Sequence, residues 1–319
     1  GMVPSHPGPT LAPQEVQDNI TQYVPELSRL AEIHFRGVFN LDSANMRPHH
    51  WQKLAEIVFR ELDQFDGFVI IHGTDSLTYT AAALSFMLRN LPKPVILTGS
   101  QRPLAEIRSD ARANLIGAVE LATYDFPEVC IFFGNELLRG NRSVKISSMD
   151  YGAFLSPNFP PLARVGVEVV RVGEVLKRGG DPVLETDIST GVVVMRIYPG
   201  FSHNHLKAVD ENVGAIVIEG LGTGNIGSED AVLLQALADW HAAGKVVVVN
   251  SQSPYGRVDL DRYQSGMLAM QAGAIGAGDM TTETTLVKLM HLLGNFPGKP
   301  ESIRELLIVP LAGEISTPQ

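Results

Sequence analysis

Four apolar residues, Phe68-Val69-Ile70-Ile71, stop abruptly at His72-Gly73-Thr74-Asp75, and a helical pattern runs on from Ser76. The order reads as strand, tight turn and helix, with a hydroxyl and a carboxylate set at the turn. In an open parallel sheet ligands gather at this edge, where turns surround helix N-termini. A Thr-Asp pair there suits an activated hydroxyl or a grip on a polar substrate. Three other segments bring polar groups to comparable places: Asp42-Ser43-Ala44-Asn45 ahead of a helix, Thr98-Gly99-Ser100-Gln101-Arg102-Pro103 at a strand end, and Arg139-Gly140-Asn141-Arg142-Ser143-Val144-Lys145. Taken singly, the first segment and the Thr74 turn are also ordinary helix caps, and Lys145 is also an ordinary solvated charge. Together they place hydroxyls, a carboxylate and an ammonium at successive strand ends of one sheet. Such a set could hold a small zwitterion and move protons.

These groups need a scaffold, and the apolar patterning supplies one. Runs at 68–72, 94–98, 129–133, 192–197, 215–219 and 246–250 predict strands. Helical periodicity predicts helices over 51–62, 76–90, 108–123, 228–243, 263–272, 282–293 and 300–308. Continuous Val/Ile runs alternating with helices mark a parallel sheet covered on both faces. The expected fold class is α/β: a larger N-terminal doubly wound sheet domain followed by a smaller C-terminal parallel α/β domain. Periodicity lapses in the glycine-rich, polar stretch VRVGEVLKRGGDPVLETDIST. The expected division is therefore an N-terminal domain over 1–171, a linker over 172–190 and a C-terminal domain over 191–319.

Of the 319 residues, 45% are hydrophobic, enough for full cores. No apolar run reaches the roughly 18 to 20 residues of a membrane helix, and no charged start leads into an apolar secretory segment. We expect no membrane partner. A formal charge of −10 disfavours nucleic acid, which requires a basic face. Cys130 is the only cysteine, within the strand-like VCIFF, and reads as a buried apolar residue with no disulfide partner.

Two motifs compete for attention. Gly222-Thr223-Gly224-Asn225-Ile226-Gly227 follows a strand and opens a helix, as a dinucleotide turn does. The next strand, however, ends Val249-Asn250-Ser251-Gln252 without the carboxylate that would hold a ribose, and the helix opens with Glu229 and Asp230, which would repel a pyrophosphate. A glycine-rich turn that permits close approach is the simpler reading. His203 and His205, and the tandem His49-His50, lack companions at metal-ligand spacing and read as surface or capping residues. Neither a G-x-S-x-G elbow nor a phosphate-binding G-x-x-x-x-G-K-[ST] loop occurs.

HGTDSLTYTAAALSFML, KPVILTGSQRPLAEIRSDARANL, RGNRSVK with FLSPNFPPL, IYPG, GTGN and AGDMTTETTLVKLMHLL together resemble the bacterial L-asparaginases, in particular the cytoplasmic type I group. The resemblance covers almost the whole chain. It implies hydrolysis of L-asparagine to L-aspartate and ammonia, without metal or organic cofactor, by a cytoplasmic homodimer or homotetramer. It implies a catalytic array of Thr74, Asp75 and Lys145. It also implies a substrate site in which Asp42, Ser43 and Ala44 hold the α-amino and α-carboxylate groups, Asp75 shares the ammonium and Ser100 faces the side-chain amide. The chemistry is coherent: a threonine hydroxyl attacks only once a base takes its proton, and a lysine serves as that base only when neutral.

The chain departs from the family pattern in three places. The family's first threonine, the nucleophile of a T-G-G-T-I-G motif, is expected just upstream of Gly1, because the chain opens Gly1-Met2 where type I members read on to Met. A start at an internal Met2 with Gly1 left by cloning, or proteolytic nicking, would account for this. The loop at residues 3–13 has no tyrosine to close over substrate, and Ala44 and Asn45 replace more polar neighbours. Two other functions share the scaffold: a non-catalytic asparagine or aspartate binding protein, and the amidotransferase subunit that serves tRNA-dependent amidation. A regulatory amino-acid site, if the chain has one, is expected around Ser251-Gln252-Ser253.

Overall fold

The structure is a computed structural model that describes residues 20 and 22–317. The loop at residues 3–13 and the Gly1-Met2 start lie outside the described residues. Contacts divide the chain into two units, residues 1–184 and 185–319.

Among the described residues, the first unit is built on a six-stranded mixed sheet. Its strands in chain order are β1 (Phe68–Ile71), β2 (Leu88–Arg89), β3 (Val95–Thr98), β4 (Val129–Phe133), β5 (Glu136–Arg139), β6 (Val144–Lys145), β7 (Phe154–Leu155), β8 (Ala163–Val165), β9 (Val169–Arg171) and β10 (Val183–Leu184). The sheet order is β1-β3-β4-β5-β8-β9, while β2 pairs with β10 and β6 with β7. β1, β3 and β4 are parallel, as the Val/Ile runs predict. β5, β8 and β9 extend them antiparallel, with tight hairpins at β4–β5 and β8–β9 that the apolar runs did not mark. Among the described residues, α1 (Pro48–Arg60), α2 (Leu77–Met87) and α3 (Ala111–Ala122) accompany the sheet. β3 and β4 are buried along their whole length, as strands covered on both faces must be. β1 is the edge among the described residues, half-buried, with Ile71 exposed. α2 ends at Met87, earlier than the predicted 90, because Leu88–Arg89 turns into a strand and Asn90 takes a positive φ of 56°.

An ion pair lies inside this unit. Glu128, just ahead of β4, meets Arg139 at 2.5 Å, and both are buried. Arg139 also donates to Glu174 O, and Glu128 accepts the Leu176 N–H at 2.8 Å. The guanidinium lies 4.3 Å from the centroid of the Phe159 ring.

The second unit is a purely parallel sheet of β11 (Val192–Arg196), β12 (Ala215–Gly220), β13 (Val246–Ser251) and β14 (Ile275–Gly276), in that order. Alternation divides its core cleanly. Ile216, Ile218, Val247 and Val249 face Leu233, Leu237 and Trp240 of α4 (Ala231–Ala242) and Ala269 of α5 (Gln264–Gln271). Ala215, Val217, Val246 and Val248 face Leu289 and Leu292 of α6 (Thr282–Asn295) and Ile303 and Leu307 of α7 (Pro300–Leu307). Lys288 on α6 is fully buried; it meets Glu314 at 2.5 Å and donates to Leu307 O and Val309 O, each at 2.7 Å. Burial pushes its pKa down, against the opposing pull of Glu314.

Candidate active site

Each predicted catalytic and substrate-binding residue lies in the first unit, and the turn after β1 organises them; Ser251-Gln252-Ser253 lies in the second. Gly73 has no Cβ, and one would lie 2.6 Å from Ser43 Oγ. That space lets the short helix Ser43–Asn45 close on the turn. The Asp75 N–H donates to Ser43 Oγ at 3.2 Å, and the Ser76 hydroxyl donates to Ser43 O at 2.6 Å. Behind the turn, the Trp51 indole N–H donates to Thr80 Oγ1 at 3.0 Å, and Thr80 Oγ1 lies 3.0 Å from His72 Nε2. His72 Nδ1 is 2.6 Å from Gly73 O. A neutral ring that donates from Nδ1 and accepts at Nε2 satisfies the whole chain. Burial lowers the His72 pKa, in keeping with that neutral form.

Lys145 comes from a distant stretch of the chain. Gly140 allows the turn after β5 to press on the sheet, since a Cβ there would stand 2.9 Å from Val129 O and 3.1 Å from Ala81 Cβ. The β6–β7 ribbon then pairs Lys145 with Phe154 and fixes its place. Its Nζ lies 2.9 Å from Thr74 Oγ1 and 2.6 Å from Asp75 Oδ1. Residues 71 positions apart in sequence thus share one contact. The Lys145 side chain is 18% exposed and that of Asp75 65%, so the pair forms the floor and the rim of an open site.

The third strand end adds Gly99, Ser100 and Gln101. A Cβ at Gly99 would fall 2.3 Å from His72 O, so glycine allows the turns after β1 and β3 to touch. Ser100 is buried, and its Oγ has no hydrogen-bond partner among the described residues. Asp42 and Ala44 are exposed, and the Asp42 carboxylate accepts the Ala44 N–H at 2.9 Å, the local cap that the sequence also suggested. Of the residues named from sequence, Thr74, Asp75 and Lys145 are in direct contact. Ser43 touches the turn they share. Asp42 and Ala44 belong to the segment that Ser43 anchors.

Sequence reasoning gave no role to several supporting residues. Asp110 accepts the backbone N–H groups of Gln101 and Arg102. Asn114 donates to Gly99 O and to Asp110 and accepts from the Gly134 N–H, bridging the ends of β3 and β4. Their i, i+4 spacing at a helix start, just after TGSQRP, was the available clue. Gln101 and His72 lie within TGSQRP and HGTD, where no local pattern gives them a role.

The chain matches the family model described as "Asparaginase, N-terminal" over residues 1–175 and that described as "Glutaminase/Asparaginase C-terminal domain" over residues 191–307. The chain belongs to the asparaginase family. It is 42% identical to an L-asparaginase of Thermococcus kodakarensis over 287 residues, 90% of this chain and 87% of that protein. Among solved structures it resembles L-asparaginase I of Vibrio cholerae, with a TM-score of 0.89 and 35% identity, over 99% of this chain and 97% of that one. A probable cytoplasmic L-asparaginase of Campylobacter jejuni aligns with a TM-score of 0.80 and 28% identity, over 91% and 93% of the two chains.

The other motifs of this asparaginase-family chain have structural uses. Gly222, Gly224 and Gly227 all take positive φ, and a Cβ at Gly224 would lie 2.9 Å from Val258 Cγ1. His203 pairs with Asp230, which caps α4 through the Leu233 N–H. His50 Nδ1 accepts the Arg47 N–H at the start of α1. Among the described residues no group of three His, Cys, Asp or Glu side chains is arranged to hold a metal ion, and no helix is long and apolar enough to cross a membrane.

Proposed function

We propose that this protein is an L-asparaginase that hydrolyses L-asparagine to L-aspartate and ammonia. The observation that carries the reading is Lys145 Nζ at 2.9 Å from Thr74 Oγ1 and 2.6 Å from Asp75 Oδ1. A neutral lysine amine in that place takes the proton of a threonine hydroxyl, and the carboxylate holds the resulting ammonium. Thr74, Asp75 and Lys145 are thus assigned the proton handling. Asp75 and the Asp42-Ser43-Ala44 segment are assigned the α-amino and α-carboxylate groups of the substrate, and Ser100, whose buried hydroxyl has no partner among the described residues, the side-chain amide. Backbone N–H groups near the start of α2 would stabilise the oxyanion. The T-G-G-T-I-G threonine that the resemblance supplies as nucleophile is not among residues 1–319.

The Campylobacter neighbour's description supports cytoplasmic placement. We further propose a homodimer or homotetramer, and a joint at residues 172–190 between a site-bearing part over 1–171 and a second part over 191–319.

The test is ammonia release by the protein as its source cell makes it, with L-asparagine, L-glutamine and related amides as substrates. Turnover of L-asparagine is expected. Saturable binding of L-asparagine without ammonia from any of these amides would overturn the assignment and leave a binding protein on the same scaffold.

A further inference from the structure

Among the described residues the Thr74 hydroxyl has two hydrogen-bond neighbours, and their chemistry fixes its orientation. Lys145 Nζ, a donor, lies 2.9 Å from Thr74 Oγ1, and Gln101 Oε1, an acceptor, lies 3.3 Å from it. The hydroxyl therefore accepts from Lys145 and gives its one proton to Gln101. Which end of the Gln101 amide faces Thr74 is decided elsewhere. Gln101 Nε2 is 3.2 Å from Ser147 O and 3.1 Å from Asp150 O, both acceptors only. Turning the amide over would set its oxygen against two carbonyls and lose both bonds.

Both ends of Gln101 are held. Its backbone N–H donates to the two carboxylate oxygens of Asp110, at 3.0 and 3.1 Å. The loop it reads is also ordered: Ser147 Oγ accepts the N–H groups of Met149 and Asp150, and the Tyr151 hydroxyl donates to Arg108 O at 2.5 Å.

We infer that Gln101 is a positioning residue, which sets the Thr74 hydroxyl and couples it to the 147–150 loop. The inference rests on the reading of Thr74, Asp75 and Lys145 as the reacting array. Passing the Thr74 proton to a neutral Lys145 amine breaks the Thr74 O–H bond and leaves an alkoxide and an ammonium. Gln101 Oε1 must release that proton first, so the placement of the 147–150 loop bears on the rate.

The test is steady-state ammonia release from L-asparagine by the wild-type protein, Gln101→Met and Gln101→Glu, across roughly pH 5 to 9. Methionine matches the length and removes both polar ends. The kcat of Gln101→Met should fall about 10- to 100-fold while KM stays within about threefold. Glutamate turns an acceptor toward the carbonyls of Ser147 and Asp150, and only its protonated form can donate to one of them. Gln101→Glu should therefore regain kcat as pH falls, relative to both wild type and Gln101→Met. Wild-type kcat in Gln101→Met, or a Gln101→Glu profile parallel to wild type, would overturn the inference. If the wild-type protein releases no ammonia, the reading of the site fails separately. The coupling is then read from hydrogen exchange at residues 147–151, which should quicken in Gln101→Met and would refute the tie if unchanged.

Discussion

Lys145 stands where two acceptors converge, and its loss has a definite expected cost. Lys145→Met keeps the aliphatic stem and removes the nitrogen that meets Thr74 and Asp75. General acid–base groups contribute about 10²- to 10⁴-fold, so kcat for asparagine should drop by that order with little change in thermal midpoint. A drop below about threefold would remove Lys145 from the proton path. His72 gives a second residue-scale prediction. Its folded pKa lies below the usual 6.5, chiefly through burial. As pH falls below 6.5 the unfolded chain binds a proton that the native ring refuses, so stability present above 6.5 is lost toward acid. One such proton contributes at most about 1.4 kcal/mol per pH unit. Urea unfolding between roughly pH 7.5 and 5 should show a flatter profile for His72→Gln than for wild type, and parallel profiles would refute the neutral-ring assignment. At this scale the sequence displayed HGTD as a unit. The Trp51–Thr80–His72 relay was hidden because its partners lie 29 and 8 positions apart, and no local pattern links them.

The strands that could be read from sequence are those whose environment is uniform. VILT and VCIFF are buried on both faces, so nearly every position is apolar. β5, Glu136–Arg139, carries charge at both ends and escaped notice. Its Arg139 is nevertheless buried, because Glu128 and the Phe159 ring receive it. A charge inside a strand is legible only when its partner is known, and Glu128 lies 11 residues earlier. The pair also pins the chain beyond β9, through Glu174 O and the Leu176 N–H. Glu128→Ala leaves a buried guanidinium uncompensated and should destabilise the first unit by about 3–5 kcal/mol. Glu128→Gln retains an acceptor for the Leu176 N–H and should cost less. Chemical denaturation of both variants checks the ranking. Equal costs, or a cost under about 1 kcal/mol for the alanine variant, would mean that the pair is not what holds this element.

Across the whole molecule, alternating Val/Ile runs and helices announced two α/β assemblies. Each unit has its own core: Ile96, Phe126 and Phe132 in the first, and the two-faced packing around β12 and β13 in the second. The antiparallel half of the first sheet was the part of the architecture that remained unread, since its strands are short and partly polar. Chains with two cores need not unfold in one step, and the buried Lys288–Glu314 pair allows this to be tested. Lys288→Met removes the cation from a fully buried carboxylate, which still accepts the N–H groups of Leu311 and Ala312. Breaking a buried pair by removing one partner costs about 3–5 kcal/mol. That loss should surface as faster hydrogen exchange through α6 and α7, while the turn at residues 72–76 keeps its protection. The double variant Lys288→Met, Glu314→Gln discharges the orphaned acid, keeps an acceptor for both N–H groups and should recover a large part of the loss. Faster exchange spread equally over both units would show a single cooperative fold. Confinement to residues 185–319 would show that the second unit can loosen while the Thr74–Asp75–Lys145 array stays assembled. Asparagine turnover by the single variant, measured well below its unfolding midpoint, should then stay near wild type.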